Sequence, residues 1–285
     1  MISSEFDVTH EAMDAALAEF GFARDAILLT HSSLKSLGRI EGGAEGVIDA
    51  LWRAVPDGTL VFPTLSSKNW KTVFEDWHLE RPSDVGLISE TFRTHKGSLR
   101  SDNATHSVAA RGKDAADIVS GPSDKGARYG LYGFYSFSHY SPWQKMFESR
   151  ERYGVRAYVL FWGVSMTYNT YKHFVEYRFV EELLDNIKDP DKKAALKAYI
   201  HTYDSPDKGR TEETIHWPFY DSGRFEETLL NEGIAKRVRL GNGYLIACDI
   251  YEMVTRTDRA MREDTDGMLC PHMADWARRA RASAK

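Results

Sequence analysis

Apolar residues along the chain fall into short solid runs separated by stretches with a helical stripe, the alternation that builds a sheet covered by helices. Residues 9–20 open the pattern: Thr9 stands where an N-cap is needed, Ala12, Ala16, Leu17 and Phe20 share one face, and Gly21 is placed to end the helix. Residues 26–30 (AILLT) predict a buried strand. A loop over 31–43 leads into a second amphipathic helix carrying Val47, Ile48, Leu51 and Val55, which the Pro56-Asp57-Gly58 turn ends before a strand at 59–62. Strand, loop, helix, turn and strand make a βαβ unit.

Residues 65–85, with Trp70, Phe74, Trp77 and His78, show no clean period and predict a long functional loop. A helix is predicted to start at Pro82-Ser83-Asp84 and run to about residue 94, with short strands at 107–110 and 157–162. After Gly163 a helix is expected over about 168–184, whereas 185–223 carries few regular signals. Strands at 236–240 and 244–250 precede a helix at 251–262, and the Arg278-Arg279-Ala280-Arg281 run predicts a frayed, solvated end rather than an RNA-binding tail. With no repeat and no linker, a single α/β domain over 1–285 is expected.

The 285 residues are 42% hydrophobic and 28% charged, enough apolar material for a large core. No stretch of about eighteen apolar residues occurs, so no membrane span is expected. Acidic residues number 42 against 37 basic, with no long basic run, which argues against a nucleic-acid partner and weakly favours small cationic ligands. The first six residues lack a basic cap and an apolar core, so a cytoplasmic protein is expected. Cys248 and Cys270 form no CxxC and predict ordinary buried or half-buried thiols.

Three segments are richer than packing requires. His31-Ser32-Ser33-Leu34, followed by Gly42-Gly43, puts hydroxyls and bare backbone between a strand and a helix, where phosphate or a pantetheine arm could sit; the alternative is a tight turn. The stretch 100–112 gathers polar groups around Ser107 and Val108 at the start of a small-residue strand, where an extended ligand could lie close to backbone; the alternative is a strand packed under a helix. In the third segment, His173 and Glu176 are three residues apart, so on a helix the carboxylate can accept from one ring nitrogen and leave the other to take a proton. Surface neighbours or the start of a metal site would show the same spacing.

In order and spacing these segments resemble the aminoglycoside 3-N-acetyltransferases, the antibiotic N-acetyltransferase family that is distinct from the GNAT enzymes. The resemblance runs from about residue 25 to 255 on HSSLKSLGRIEGGAEGVIDAL (31–51), GTLVFPT (58–64), RPSDVGLISETFR (81–93), SVAARG (107–112), SPW (141–143) and GVSMTYNTYKHFVEYR (163–178). It implies a three-layer α/β/α fold with a mixed central sheet, and direct transfer of acetyl from acetyl-CoA to the 3-amino group of an aminoglycoside in a ternary complex, as in antibiotic resistance. In the family's HxxE motif the histidine is the general base and the glutamate orients it, which implies His173 and Glu176 here. Cofactor contacts are implied at His31, Ser32, Ser33, Leu34, Thr64, Ser107 and Val108, and Asn169 and Thr170 are candidates to hold the thioester or its oxyanion.

A polycationic acceptor calls for acids, and Glu75, Asp76, Glu80, Asp102, Asp204 and Asp221 are the candidates, with Trp70 and Trp77 as possible walls beneath sugar rings; each could instead be plain surface or core. Where many relatives have His-Pro before the serine-valine strand this chain has Asn103-Ala104, and 126–140 is unusually aromatic. No metal is expected, and the assembly expected is a monomer or homodimer. Competing readings are acyl transfer to an amine of a natural-product pathway, a metal-dependent hydrolase using His106, His139 and His173, and a protein that only sequesters polycations.

Overall fold

The computed structural model describes residues 6–66, 76–121, 136–200 and 216–285. In chain order the elements are α1 (His10–Ala18), β1 (Ile27–Ser32), α2 (Gly43–Ala54), β2 (Thr59–Pro63), α3 (Leu87–Thr94), β3 (Leu99–Arg100), β4 (Val108–Gly112), α4 (Ala115–Val119), α5 (Pro142–Phe147) and α6 (Ser149–Arg152). They continue with β5 (Ala157–Trp162), α7 (Tyr171–Asp185), α8 (Pro190–Tyr199), α9 (Glu226–Asn231), β6 (Ala235–Leu240), β7 (Gly243–Asp249), α10 (Ile250–Glu263), α11 (Thr265–Met268) and α12 (Pro271–Ser283).

The strands form one seven-stranded sheet in the order β3-β4-β2-β1-β5-β7-β6. β1 runs parallel to both neighbours, β2 and β5, while the outer pairings are antiparallel. Because side chains alternate across a strand, each central strand feeds two cores. Leu28, Leu60, Phe62, Leu160 and Trp162 pack against Met13, Val47, Ile48, Leu51 and Phe92 of α1, α2 and α3. Ile27, Leu29, Val61, Val159 and Phe161 pack against Trp143, Phe174, Met253 and Trp276 of α5, α7, α10 and α12. This is the expected mixed sheet between two helical layers. Among the described residues no helix is long and apolar enough to cross a membrane.

Thr9 caps α1 as expected, its side chain accepting from Ala12 N–H at 3.2 Å, and β5 matches its expected bounds. Four expectations are corrected. The loop expected from residue 31 begins after Ser32, because His31 and Ser32 still pair with Phe161 and Trp162. The helix expected from residue 82 starts at Leu87, since Gly86 has φ of 122° and Ser83 N–H is taken by the Glu90 carboxylate at 2.9 Å. Within 185–223, α8 is capped by Asp189 with Pro190 in the first turn, but only Leu196 is buried, so its apolar stripe is too thin to read. The C-terminal run is not frayed. Met273, Ala274, Trp276, Ala277 and Ala280 bury one face of α12, and Trp276 Nε1–H donates to Leu196 O at 3.0 Å.

Candidate active site

Chain connections leave the carboxyl ends of β1, β2 and β5 in different directions, and in an open α/β sheet such a switch point opens a crevice. Here it is a cavity of about 730 Å³, within the range of ligand sites. Its floor is His31, Ser32 and Ser33 after β1, Pro63 and Leu65 after β2, and Gly163, Val164 and Ser165 after β5. Asp84, Val85 and Ser89 close one side, and Tyr168 and Thr170 the other. Gly163 is required there: its φ is 68° and a Cβ would stand 2.2 Å from Ser36 Oγ, so only glycine lets the first loop lie against the end of β5.

His31 links this floor to the start of α7. Its ring stacks on Phe161 at 5.5 Å, and its Nε2 accepts from Thr170 N–H at 3.5 Å. Burial pushes the imidazole down to about 3, so it stays neutral and can act as that acceptor. Asn169 completes the helix start: its Oδ1 accepts from Tyr171 N–H at 3.0 Å and its Nδ2 donates to Met253 Sδ at 3.3 Å.

One turn into α7, His173 Nδ1–H donates to Glu176 Oε2 at 2.8 Å. The Glu176 side chain is wholly buried and that of His173 is 14% exposed, so the pair has its carboxylate inside and its imidazole at the edge of solvent. Trp217 Nε1–H donates to Glu176 Oε2 at 2.9 Å and Tyr220 N–H to Oε1 at 3.4 Å. Burial pushes the Glu176 carboxyl upward, while the Trp217 hydrogen bond, the charge of Lys172 and the Tyr220 amide favour the ionised form. An indole N–H and a backbone N–H can only donate, so both partners suit a carboxylate, and a carboxylate in turn directs the His173 proton to Nδ1.

The imidazole is boxed by the rings of His106, Phe137 and Phe219, with centroids at 5.6, 6.0 and 6.0 Å. Burial, and then any positive charge on His173, pushes His106 well below its ordinary value, so it is a neutral neighbour. A buried network holds it. Asn103 Oδ1 accepts from His106 N–H at 2.6 Å, Asn103 Nδ2 donates to Ser136 Oγ at 3.0 Å, and Thr105 Oγ1 lies 2.9 Å from His106 Nδ1.

Of the candidate cofactor residues, His31, Ser32 and Ser33 line the cavity together with Thr170, whereas Leu34, Thr64, Ser107 and Val108 do not. Thr64 and Ser107 nevertheless meet, with their hydroxyls 3.1 Å apart and Thr64 N–H donating to Ser107 O at 2.8 Å. Gly42 and Gly43 stand away from the cavity lining and begin α2. Among the candidate acids, Asp76 lies 3.7 Å from Arg81, Glu80 is exposed 4.0 Å from Arg93, Asp102 accepts from Trp77 Nε1–H at 2.7 Å, and Asp221 caps its own turn through Gly223 N–H at 2.9 Å. Trp77 is buried beside Arg100 rather than open to a ligand. Trp70, Glu75 and Asp204 lie outside the described residues. Among the described residues no group of three or more His, Cys, Asp or Glu is placed to hold a metal ion, and His139 stands exposed against Tyr140.

Trp217 and Tyr220 were not legible as partners of the His173–Glu176 pair, and His106 was set beside His173 only as a candidate metal ligand. The signal available was the run Trp217-Pro218-Phe219-Tyr220 in an otherwise polar stretch.

The cavity at the carboxyl ends of the parallel strands is the kind of site α/β enzymes use, and its lining reaches Thr170, three residues before His173, while His173, Glu176 and Asn169 themselves are not among the lining residues. The sequence model of the family described as aminoglycoside 3-N-acetyltransferase matches residues 29–262, and the chain belongs to that family. The SPbeta prophage-derived aminoglycoside N(3')-acetyltransferase-like protein YokD of Bacillus subtilis (strain 168) is 29% identical over 206 residues, which are 65% of this chain and 70% of that protein. Aminoglycoside N(3)-acetyltransferase IV of Salmonella sp is 35% identical over 107 residues, 37% of this chain and 40% of that one. Among solved structures, the apoenzyme of aminoglycoside acetyltransferase AAC(3)-IVa is 22% identical with a TM-score of 0.66, covering 99% of this chain and 100% of its own. AAC-IIIb in binary complex with CoASH is 20% identical with a TM-score of 0.62, covering 90% and 96%. At those identities the structures establish a shared fold.

Proposed function

We propose that the protein transfers acetyl from acetyl-CoA to the 3-amino group of an aminoglycoside, with His173 as general base and Glu176 as its orienting carboxylate. The observation that carries this reading is the 2.8 Å contact from His173 Nδ1 to a wholly buried Glu176, which turns Nε2 to the proton-accepting role. A protonated amine has no lone pair to attack with. Nε2 takes the ammonium proton and releases it to solvent. The amine nitrogen then bonds to the thioester carbonyl carbon, the C–S bond breaks, and Nε2 carries the second N–H proton from that nitrogen to the departing CoA sulfur, leaving amide, CoA thiol and one released proton.

The cavity suits the pantetheine arm of CoA. Its described lining is rich in hydroxyls (Ser32, Ser33, Ser36, Ser89, Ser165) that can meet two amides, and it contains no lysine or arginine. On this reading the phosphates lie beyond the cavity, Thr170 holds the end of α7 beside the thioester, and Asn169 acts by fixing that end. A neutral His31 accepting from Thr170 N–H keeps cofactor floor and catalytic helix in one frame.

A second reading keeps the reaction and changes the acceptor. It is favoured by the internal commitments of Asp76, Asp102 and Asp221, which leave the polycation's partners undecided among the described acids. Release of free CoA thiol, measured with acetyl-CoA and aminoglycosides that carry or lack a free 3-amine, tests both. Release only with the free 3-amine is expected. Release with drugs blocked at that position would move the acceptor elsewhere, and silence across the panel would refute the aminoglycoside reading.

A further inference from the structure

Arg100 takes no part in the reaction proposed above, yet from behind the cavity it ties together the residues on either side of Leu65, which lines it. It ends β3, and its half-buried guanidinium lies over the Trp77 indole at 4.7 Å. Its Nε donates to Ser107 Oγ at 3.2 Å, its Nη1 to the carbonyls of Leu79 (2.8 Å) and Arg81, and its Nη2 to Thr64 O (2.6 Å) and Ser66 Oγ (3.1 Å). The fork has five N–H groups, and these five neutral oxygens match them. Burial pushes its pKa down to about 10, which leaves it a cation at neutral pH.

The acceptors come from three places: the end of β2, the turn at 79–81 and the start of β4. Thr64 and Ser66 flank Leu65, which lines the cavity, and Leu65 O accepts in turn from Asp84 N–H at 2.9 Å, another lining residue. Ser107 is tied to Thr64 by the same guanidinium. A lysine, with three donors on one point, cannot span these oxygens.

We propose that Arg100 is a positioning residue for the acyl carrier: its five-point clamp braces the Thr64–Ser107 pair behind the Leu65–Asp84 wall and so holds that wall in the shape that accepts the arm of CoA. This rests on the reading that the cavity takes CoA, and the test therefore measures CoA binding directly rather than turnover. Calorimetric titration of CoA into the full chain, Arg100→Lys and Arg100→Ala, each checked for folding by thermal melting, is the experiment. Arg100→Lys should weaken CoA about tenfold or more, as expected for loss of several charge-assisted hydrogen bonds to the wall. Guanidinium ion, added well below unfolding concentrations, should restore part of the affinity of Arg100→Ala while leaving the unaltered chain unchanged, an effect that mere destabilisation would not show.

Unchanged CoA affinity in a folded Arg100→Lys overturns the inference while leaving the cofactor reading intact. Weakened affinity that guanidinium cannot recover in a folded Arg100→Ala overturns it too. If Arg100→Ala does not fold, Arg100→Lys decides alone. An unaltered chain that fails to bind CoA overturns both.

Discussion

Glu176→Gln perturbs the proposed mechanism at its narrowest point. The carboxylate accepts from three donors, His173 Nδ1–H at 2.8 Å, Trp217 Nε1–H at 2.9 Å and Tyr220 N–H at 3.4 Å. A carboxamide of the same shape has one oxygen. Turned toward His173 and Trp217, it keeps those two bonds but sets its NH2 group against the Tyr220 N–H; turned the other way, it opposes the indole and forces the imidazole into the other tautomer. In the better orientation the imidazolium formed during transfer still loses its counter-charge in a site closed by Phe137 and Phe219. A charge-assisted hydrogen bond contributes up to about 3 kcal/mol, so kcat/KM should fall roughly a hundredfold, with little change in the KM for acetyl-CoA. The acid limb of the rate profile should also move to lower pH, because the positive ring is no longer favoured by a neighbouring anion. The assay is thiol release against pH, with thermal melting to confirm folding. Near-normal turnover in a folded Glu176→Gln protein, or an acid limb that stays put while the rate falls, would refute the orienting role.

Two further outcomes follow from burial. His31 and His106 are neutral when folded, with His31 lowered from an ordinary 6.5 to about 3, and both take a proton when unfolded, so stability is intact above that ordinary value and is lost as pH falls below it. Each histidine contributes about 1.4 kcal/mol per pH unit in that window, and His106→Phe should flatten the decline by about that slope in urea titrations at several pH values; parallel curves would contradict the assignment. Trp276→Ala should lower unfolding free energy by roughly 3–5 kcal/mol, because it empties a buried site and orphans Leu196 O. A loss under about 1 kcal/mol would mean that α12 does not belong to the core.

Most helices and strands, the α/β class and the His173–Glu176 spacing were legible because they depend on short-range spacing, whereas the mixed sheet was implied only by the family resemblance. A capping threonine, an apolar run or a carboxylate one helical turn from a histidine acts over a few residues. Where local signals were thin, as in α8 with only Leu196 buried, the element was missed. The α12 stripe was present in the sequence, but its burial needs Leu196, 80 residues away.

Strand order, the crevice and the surroundings of His173 were decided by tertiary structure alone. Trp217 and Tyr220 reach Glu176 across 41 and 44 residues, and Arg100 gathers oxygens as far away as Thr64, 36 positions earlier. The sequence by itself determined which side chains could carry charge or protons and which faces had to be buried. Whether a given carboxylate ends as an orienting group or as the cap of its own turn depends on which donors the fold brings to it. The desolvation and hydrogen bonds that make that choice exist only once distant segments have packed together.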